Sequence, residues 1–226
     1  MTNLATTTLF IILFILKLRQ VFIKMHSIKV LPKEFFLNGD VTEISRNLLG
    51  KMLVTNIDNQ ITIGRIVETE AYHGSKDKAC HAYLHRNTKR TYVMFKEGGR
   101  SYVYLCYGIH YLFNVVTHAE AQPNAVLVRS LQPISGLDLM KSRRLVSLER
   151  NLCNGPGKLA QAMGINKELN DVNLYQKDSQ VWIGENAGEE IFDIITTTRI
   201  GVDYAEEDAL LPWRYYIKGN PYISKK

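Results

Sequence analysis

Residues 61–72, ITIGRIVETEAY, decide the fold of this chain. They are rich in β-branched residues and largely alternate, so they predict a long β-strand. Successive side chains on a strand point to opposite faces, so Glu68, Glu70 and Tyr72 share one face and the residues between them share the other. An apolar strand of this kind belongs inside a sheet, which places two carboxylates on a buried surface.

Two carboxylates on a buried face are costly unless they have a partner or a catalytic task. If one of them lies among aromatic rings, it can act as a general base near neutral pH. The alternative is that both pair with Arg65, Arg129 or another cation. For an isolated Glu-x-Glu pair the ion pairs are the more common outcome, so the catalytic hypothesis depends on the rest of the sequence.

The surrounding chain predicts an α+β fold, a single compact domain over residues 25–226 with a mixed, mostly antiparallel, curved sheet and flanking helices. No internal repeat or Gly/Ser linker divides this part of the chain. Residues 77–100 are polar and predict a loop with a helical turn. The other predicted elements are helices over 41–49, 136–150 and 156–163, a strand over 125–131 that Pro133 ends, and short strands near 181, 191–196 and 215–217.

A protruding β-hairpin is predicted by residues 101–117, SYVYLCYGIHYLFNVVT, with a tight turn at Tyr107-Gly108-Ile109-His110. Tyr102 and Tyr104 then lie on one face of its first strand. Tyr107 falls at the turn, where an aromatic ring has little core to fill. An exposed ring at this place indicates a wedge for a base stack or a protein interface.

The segment before this hairpin is basic, with only Asp77 and Glu97 as acids. A run of this kind is more often a solvated surface than a phosphate-binding track. Next to a tyrosine-rich hairpin, however, it favours nucleic-acid binding. The basic residues are Lys76, Lys78, Arg86, Lys89, Arg90, Lys96 and Arg100.

The composition is that of an ordinary globular protein, with 46% hydrophobic and 22% charged residues among 226, which excludes disordered, collagen-like and mucin-like chains. The formal net charge of +6 is partly due to residues 1–24, which hold three basic residues and no acid, so it is a weak indicator of a polyanionic partner. Three cysteines without a CxxC pair argue against a disulfide framework and for a reducing cytoplasm. Cys80, His81 and His85 lack a fourth zinc ligand, so no metal site is expected.

The N-terminus differs in composition from the rest of the chain. Residues 9–16, LFIILFIL, form an apolar run of eight residues, well short of the roughly 20 that span a bilayer. The positive charges follow this run, and no small-residue cleavage site comes after them. Because Met25 offers a second start, residues 1–24 are interpreted as a hydrophobic leader or a mis-assigned start outside the fold. Neither secretion nor a membrane span is expected, and the expected location is cytoplasmic, nucleoid-associated in a bacterium.

Further motifs follow in order along the chain: IVETEAY (66–72), D (77) with ACHA (79–82), MF (94–95), GGRSYVYLCYG (98–108), NVV (114–116), VLVR (126–129), LCNGPGKL (152–159), RIGV (199–202) and PWRYYI (212–217). Together they resemble the mammalian-type 3-methyladenine (alkyladenine) DNA glycosylases. The resemblance covers residues 31–224, and the ETEAY and YVYxxYG motifs in this order are highly specific.

The resemblance implies a monofunctional DNA N-glycosylase that flips alkylated or deaminated purines out of duplex DNA and leaves an abasic site. It implies that Glu70 activates the attacking water and that Arg129 orients this water and the acid. Glu68 has no comparable role in the family and is assigned to structure. The implied base-binding residues are Tyr72, His81, Tyr104 and Asn114, and the implied DNA-binding residues are Tyr107, Gly108, Ile109, His110, Arg86, Thr88, Arg90 and Gly201.

The chemistry of base removal agrees with these implied roles. Breaking an N-glycosidic bond builds positive charge on the sugar, which a carboxylate stabilises, and an alkylated cationic purine is attracted by aromatic ring faces. The target base is unreachable in a stacked duplex, so it must be flipped out. The expected partner is double-stranded DNA, contacted in the minor groove by a monomer, and no metal or organic cofactor is required. No lysine in the motifs stands where a Schiff-base nucleophile is expected, so strand cleavage is not predicted.

Two other functions stay open. A non-catalytic minor-groove binder could use the same hairpin, but it gives the buried acid no purpose. An O-glycoside hydrolase could use Glu68 and Glu70, about 7 Å apart, as an inverting pair, but it gives the hairpin no purpose.

His110 and residues 88–91, TKRT, depart from the family pattern. The contacts of the hairpin tip with the groove and of this loop with phosphates are therefore expected to differ. Residues 155–158, GPGK, either bind phosphate through free N–H groups or simply begin a helix with proline.

Overall fold

The described residues are 27–186, 188 and 191–225 of a computed structural model. Their strands are β1 Lys29–Val30, β2 Met52–Ile57, β3 Gln60–Tyr72, β4 Ser101–Cys106, β5 His110–Thr117, β6 Asn124–Ser135, β7 Val181–Glu185, β8 Ile194–Thr197 and β9 Arg214–Ile217. They form one sheet with the order β1-β7-β2-β3-β6-β5-β4, and β9 pairs with both β3 and β8. Every pairing among these residues is antiparallel.

Strand β3 confirms the predicted strand and extends it by one residue at its start. One edge of β3 pairs with β6. The other edge pairs first with β2 and then, from Glu68 to Glu70, with β9. The backbone that carries the two acids is therefore paired with neighbouring strands along both edges, and both acids are fully buried.

Strand β6 continues past Pro133, so the prediction that this proline ends the strand is wrong. Pro133 lies opposite Gly64, where the register between β3 and β6 shifts. A register irregularity tolerates proline because the missing N–H is not needed for a regular ladder bond there. The strand consequently reaches Ser135 and carries Arg129 near its middle.

Strands β4 and β5 form the predicted hairpin, whose turn consists of Tyr107, Gly108 and Ile109. His110 is the first residue of β5 rather than part of the turn, because it pairs with Cys106. Tyr107 and Gly108 have positive φ angles of 51° and 73°, a geometry that glycine adopts at little cost. The residues at the tip are exposed, Tyr107 by 92% and Ile109 by 70%, which confirms that the hairpin protrudes.

Three α-helices flank the sheet in the described part of the chain: α1 Val41–Asn47, α2 Leu137–Arg144 and α3 Pro156–Met163. Helix α1 begins as predicted and ends two residues early; Asp40 caps it by accepting a hydrogen bond from the Thr42 N–H at 2.7 Å. Helix α3 matches its predicted range, with proline in its first turn.

Helix α2 is shorter than predicted. Leu145 has a left-handed backbone conformation, with φ 53°, and this ends the helix. A short 3₁₀ turn over Glu149–Asn151 follows. In the polar segment 77–100, 3₁₀ turns over Tyr83–His85 and Tyr92–Phe95 confirm the predicted loop with helical turns.

The main core lies between the sheet and the helices, and it joins side chains from all three helices with those of β3, β5 and β6. One α+β domain with a curved antiparallel sheet results, as the sequence predicts. The predicted leader over residues 1–24 lies outside the described residues. Within the described ranges, no helix is both long and apolar enough to cross a membrane.

Candidate active site

The carboxylate of Glu70 is held by hydrogen bonds on both of its oxygens. Its Oε2 accepts hydrogen bonds from the Tyr72 hydroxyl at 2.8 Å and from Arg129 Nη1 at 3.1 Å. Its Oε1 accepts one from the backbone N–H of Ile200 at 2.8 Å. A carboxylate has about four acceptor positions, so these three bonds leave one position for a further donor such as water.

Arg129 reaches Glu70 because β6 is the strand next to β3. Burial lowers the pKa of its guanidinium, but the neighbouring Glu70 and Glu68 outweigh burial and raise it, so the group stays cationic. The sequence-based alternative that both acids pair with cations is therefore confirmed, with Arg129 shared by both and Arg214 bound to Glu68 at 2.8 Å. Ion pairing and a catalytic role do not exclude each other, because Glu70 keeps an open acceptor position.

Arg199 anchors the loop that supplies the Ile200 amide. Its guanidinium donates to both oxygens of Asp77, at 2.5 Å and 2.9 Å, and to the carbonyl oxygen of Ala71 at 3.0 Å. The guanidinium carbon also lies 4.9 Å from the centre of the Tyr72 ring. Arg199 thus fixes both the Ile200 N–H and the ring whose hydroxyl binds Glu70.

A cavity of about 610 Å³ opens in front of this acid. Tyr72 and Arg129 form part of its wall, whereas Glu70 lies behind them and does not line it. All four implied base-binding residues line the cavity. Its lining comprises Tyr72, Ala79, Cys80, His81, Arg90, Met94, Tyr102, Tyr104, Leu105, Cys106, Tyr107, His110, Leu112, Asn114, Ala125, Leu127, Arg129, Gly155, Pro156, Gly157, Lys158, Ile200, Gly201, Val202 and Tyr204.

The aromatic wall of the cavity is held by contacts among its own members. The His81 ring meets the Tyr104 ring edge-on, with centroids 4.6 Å apart, and its Nδ1 lies 2.9 Å from the Tyr102 hydroxyl oxygen. Burial, with a smaller effect from the charge of Arg90, lowers the pKa of His81 to about 4. The imidazole is therefore neutral at neutral pH and presents no positive charge to a bound group.

Asn114 is a buried residue of β5, the strand that pairs with β4. Its Nδ2 donates to the backbone carbonyl oxygen of Tyr102 at 3.0 Å. This bond fixes the amide in one orientation, because the side chain is tied to the neighbouring strand. Asn114 can thus act as a rigid wall against a bound ligand.

Some of the DNA-binding candidates line the cavity, whereas Gly108, Ile109, Arg86 and Thr88 lie outside its lining. Tyr107, His110 and Gly201 line it, whereas Arg86 and Thr88 lie in the exposed loop before β4. Thr88 and Thr91 close a turn there, with the Thr88 N–H donating to Thr91 Oγ1 at 2.9 Å.

Arg90, which the resemblance implies as a DNA contact, stacks on the aromatic wall. Its guanidinium carbon lies 4.6 Å from the centre of the Tyr104 ring. Residues 155–158 also line the cavity, where Lys158 Nζ donates to Asn154 Oδ1 at 3.0 Å. Gly157 is needed for close packing, since an added Cβ would lie 2.9 Å from His110 Cβ.

Sequence reasoning missed several members of the site. Arg199 belongs to the RIGV motif, which assigns it no role, and the Ile200 N–H is a backbone group that gives no side-chain signal. The alternation of β4 puts Tyr102 on the same face as Tyr104, and this is the sequence signal for its part in the wall. Tyr204 also lines the cavity, and its hydroxyl donates to the Ala79 carbonyl oxygen at 3.2 Å.

The described residues contain no group of three or more His, Cys, Asp or Glu side chains that could hold a metal ion. Cys80, Cys106 and Cys153 are free thiols. Burial raises the pKa of Cys80 and of Cys153 to about 12, so both thiols stay protonated at neutral pH.

A comparison with protein families identifies the class of this protein. The family model described as methylpurine-DNA glycosylase (MPG) matches residues 34–221. The chain therefore belongs to the methylpurine-DNA glycosylase family and is a DNA-binding hydrolase of N-glycosyl bonds that serves DNA repair.

Bacterial relatives align over nearly all of their own length. A protein of Natranaerobius thermophilus is 44% identical over 196 residues, which are 86% of this chain and 98% of the relative. A protein of Clostridium botulinum is 45% identical over 205 residues, 87% of this chain and 100% of the relative. One of Chlamydia felis is 47% identical over 191 residues, 83% of this chain and 96% of the relative. Each carries the provisional name 3-methyladenine DNA glycosylase.

Proposed function

We propose that this protein removes alkylated or deaminated purines of the 3-methyladenine type from double-stranded DNA and leaves an abasic site. The observation that carries this proposal is the carboxylate of Glu70, which is held by three donors, keeps one acceptor position and lies directly behind an aromatic cavity wall. The family membership and the names of the relatives support the same substrate class.

Glu70 is the general base of the proposed reaction. As the bond between the base and the sugar breaks, the sugar gains oxocarbenium character, which the nearby carboxylate stabilises. A water bound at the free acceptor position of Glu70 then loses its proton to the carboxylate and attacks the anomeric carbon. Arg129, held against the same carboxylate, orients the acid and this water.

The cavity holds the flipped base between Tyr72, His81 and Tyr104. The ring faces attract a cationic alkylated purine, and the neutral imidazole of His81 adds no opposing charge. Asn114 forms a rigid floor that clashes with the exocyclic amino group of guanine. A normal guanine is thereby rejected while an altered purine is admitted.

Flipping is assisted by the hairpin. Tyr107, exposed at its tip, enters the minor groove and fills the gap that the base leaves, which offsets part of the cost of unstacking. Gly108, Ile109 and His110 follow it into the groove, while the exposed Arg86 loop contacts the backbone. The protein acts in this way as a monomer.

The reaction ends at the abasic site, without strand cleavage. A lyase needs an amine that forms a Schiff base with the sugar. Lys158 is the lysine among the residues that line the cavity, and its ammonium is bound to Asn154. Borohydride trapping of the protein on abasic duplex is expected to give no covalent complex; a trapped complex that Lys158→Ala abolishes would show lyase activity.

Two alternative functions are disfavoured by the surroundings of the acids. The two oxygens of Glu68 accept five hydrogen bonds, and a carboxylate has about four acceptor positions. Glu68 therefore has no acceptor position free for an O-glycoside hydrolase reaction. A non-catalytic binder does not need an acid with an open acceptor position. It predicts that Glu70→Gln leaves the function of the protein unchanged.

Excision from lesion-bearing duplexes tests the proposal. Duplexes with 3-methyladenine, 7-methylguanine, hypoxanthine or ethenoadenine are incubated with the parent and with Glu70→Gln, and abasic sites are revealed by heat or alkali. The parent is expected to release at least one of these bases. Glu70→Gln is expected to lower the single-turnover rate by about 10²–10⁴ while DNA binding is retained, because the amide keeps the shape but cannot accept the proton.

Glu168→Gln is the matched control, since Glu168 is exposed and lies outside the cavity lining. This variant is expected to excise at the parental rate. A parent that produces no abasic site on any of the four duplexes contradicts the proposed function. A Glu70→Gln variant as fast as the parent contradicts the role of the acid.

A further inference from the structure

The carboxylate of Glu68, two residues before Glu70, accepts five hydrogen bonds. Its Oε1 accepts hydrogen bonds from Arg214 Nε at 2.8 Å and Ser224 Oγ at 2.8 Å, and its Oε2 accepts from Ser130 Oγ at 2.9 Å and the Ser224 N–H at 2.6 Å. Burial raises the pKa of Glu68, but the Ser224 N–H, the charge of Arg129 and the hydrogen bond from Arg214 outweigh burial and lower it. Glu68 is therefore a fixed anion that turns no free oxygen to the cavity.

Arg129 connects this anion to the proposed general base. Its Nε donates to Glu68 Oε1 at 3.3 Å, and its Nη1 donates to Glu70 Oε2 at 3.1 Å. The donors of a guanidinium are fixed in one plane, so holding Nε in place also sets the direction of Nη1. The position of Arg129 relative to Glu70 consequently depends on where Glu68 is held.

The segment around Ser224 completes this arrangement by binding both Glu68 and Arg129. Ser224 donates to both oxygens of Glu68, and its Oγ accepts a weaker bond from Arg129 Nη2 at 3.4 Å. Arg214 Nη2 donates to the carbonyl oxygen of Lys225. The match to the family ends at residue 221, so these bonds come from outside the region that the family model describes.

We propose that Glu68, together with Arg214 and Ser224, is a positioning set that holds Arg129 in the orientation in which it binds Glu70. Ser224 is a positioning residue in this proposal, because it touches neither the cavity nor Glu70. The proposal rests on the proposed function for its effect on rate, since Glu70 must be the reacting acid. Its effect on the Arg129 guanidinium is independent of any activity.

Removing the Ser224 hydroxyl leaves every buried charge paired, so it perturbs position more than folding. Ser224→Ala is expected to lower the single-turnover excision rate about tenfold with an unchanged dissociation constant for DNA, because misplacement of a reacting group affects the rate and not binding. Deletion of residues 224–226 is expected to lower it further. Ser224→Thr, which keeps the hydroxyl, is expected to restore the rate, and Ser142→Ala, at an exposed serine, is the matched control.

A rate that is unchanged in both Ser224→Ala and the deletion, or that falls only in proportion to DNA affinity, would overturn the proposal while leaving the proposed function intact. A second measurement does not need activity. In protein with ¹⁵N-labelled arginine, the Nε–H signal of Arg129, assigned with Arg129→Lys, is expected to exchange with water faster in Ser224→Ala than in the parent. Equal exchange rates would also overturn the positioning role, whatever the parent excises.

Discussion

The two sides of the cavity are built in opposite ways. On the β3 side, Glu68, Glu70, Arg129 and Arg214 are buried, and their charges are paired with one another. On the hairpin side, the ring of Tyr107 is 92% exposed and packs on little of the protein. One side satisfies its polar groups internally, and the other presents an aromatic ring to solvent.

Under the proposed function, this difference separates the chemistry from DNA recognition. A buried, paired set of charges keeps its geometry without a ligand, which suits a carboxylate that must meet one atom of a sugar. Exposed aromatic and basic groups contribute little to folding, since they bury no surface in the free protein. Substitutions should therefore cost stability on the β3 side and cost only DNA binding on the hairpin side.

The largest effect on stability is expected from Asp77→Ala. It leaves the buried guanidinium of Arg199 without its carboxylate partner, which typically costs about 3–5 kcal/mol. The free energy of unfolding, measured in urea, should fall by this amount. Asp193→Ala, which breaks an exposed pair with Lys218, should change it by less than about 0.5 kcal/mol. Equal losses in the two variants would contradict the expected difference between a buried and an exposed ion pair.

A pH-dependent loss of stability is expected from His81, which packs on Tyr102 and Tyr104 in the aromatic wall. Its pKa is about 4 in the folded protein and about 6.5 when unfolded, so the unfolded chain binds the proton more strongly. The free energy of unfolding should therefore fall as the pH drops from about 6.5 to about 4, by up to about 3 kcal/mol from this residue. His81→Phe should flatten the pH dependence of the free energy of unfolding in this range. Burial also lowers the pKa of His118, which should account for the pH dependence that remains. An unchanged slope in His81→Phe would rule out this source.

On the hairpin side, Tyr107→Ser should reduce base flipping about tenfold, because the serine cannot fill the gap in the stack. The fluorescence rise of 2-aminopurine placed beside a lesion reports flipping. The free energy of unfolding should stay within about 0.5 kcal/mol of the parent, since Tyr107 is exposed. A parental fluorescence amplitude would refute the wedge role.

The smallest effect is expected from Arg86→Ala. Loss of one phosphate contact should weaken DNA binding to all sequences alike and reduce the salt slope of log K by about one. Titrations at several salt concentrations measure this slope. Lys218→Ala, outside the cavity lining, should leave it unchanged. A slope for Arg86→Ala equal to the parent's would remove Arg86 from the DNA contacts.

Local patterns predicted the parts of the fold that depend on neighbouring residues. The alternation in β3, the turn after β4 and the proline at the start of α3 each express a preference of a few adjacent residues. The same patterns failed where the partner strand decided the outcome. Pro133 reads as a strand end, yet β6 continues through it because the register with β3 shifts at that point.

The sequence by itself determined the strand that carries Glu70, the hairpin that exposes Tyr107 and the family to which the chain belongs. Only the tertiary structure decided what holds Glu70 and Glu68. The Ile200 N–H lies 130 residues from Glu70 in the chain, and the Ser224 N–H lies 156 residues from Glu68. Such bonds depend on how the whole sheet closes, and a backbone N–H is the same in every residue except proline, so no local pattern announces them.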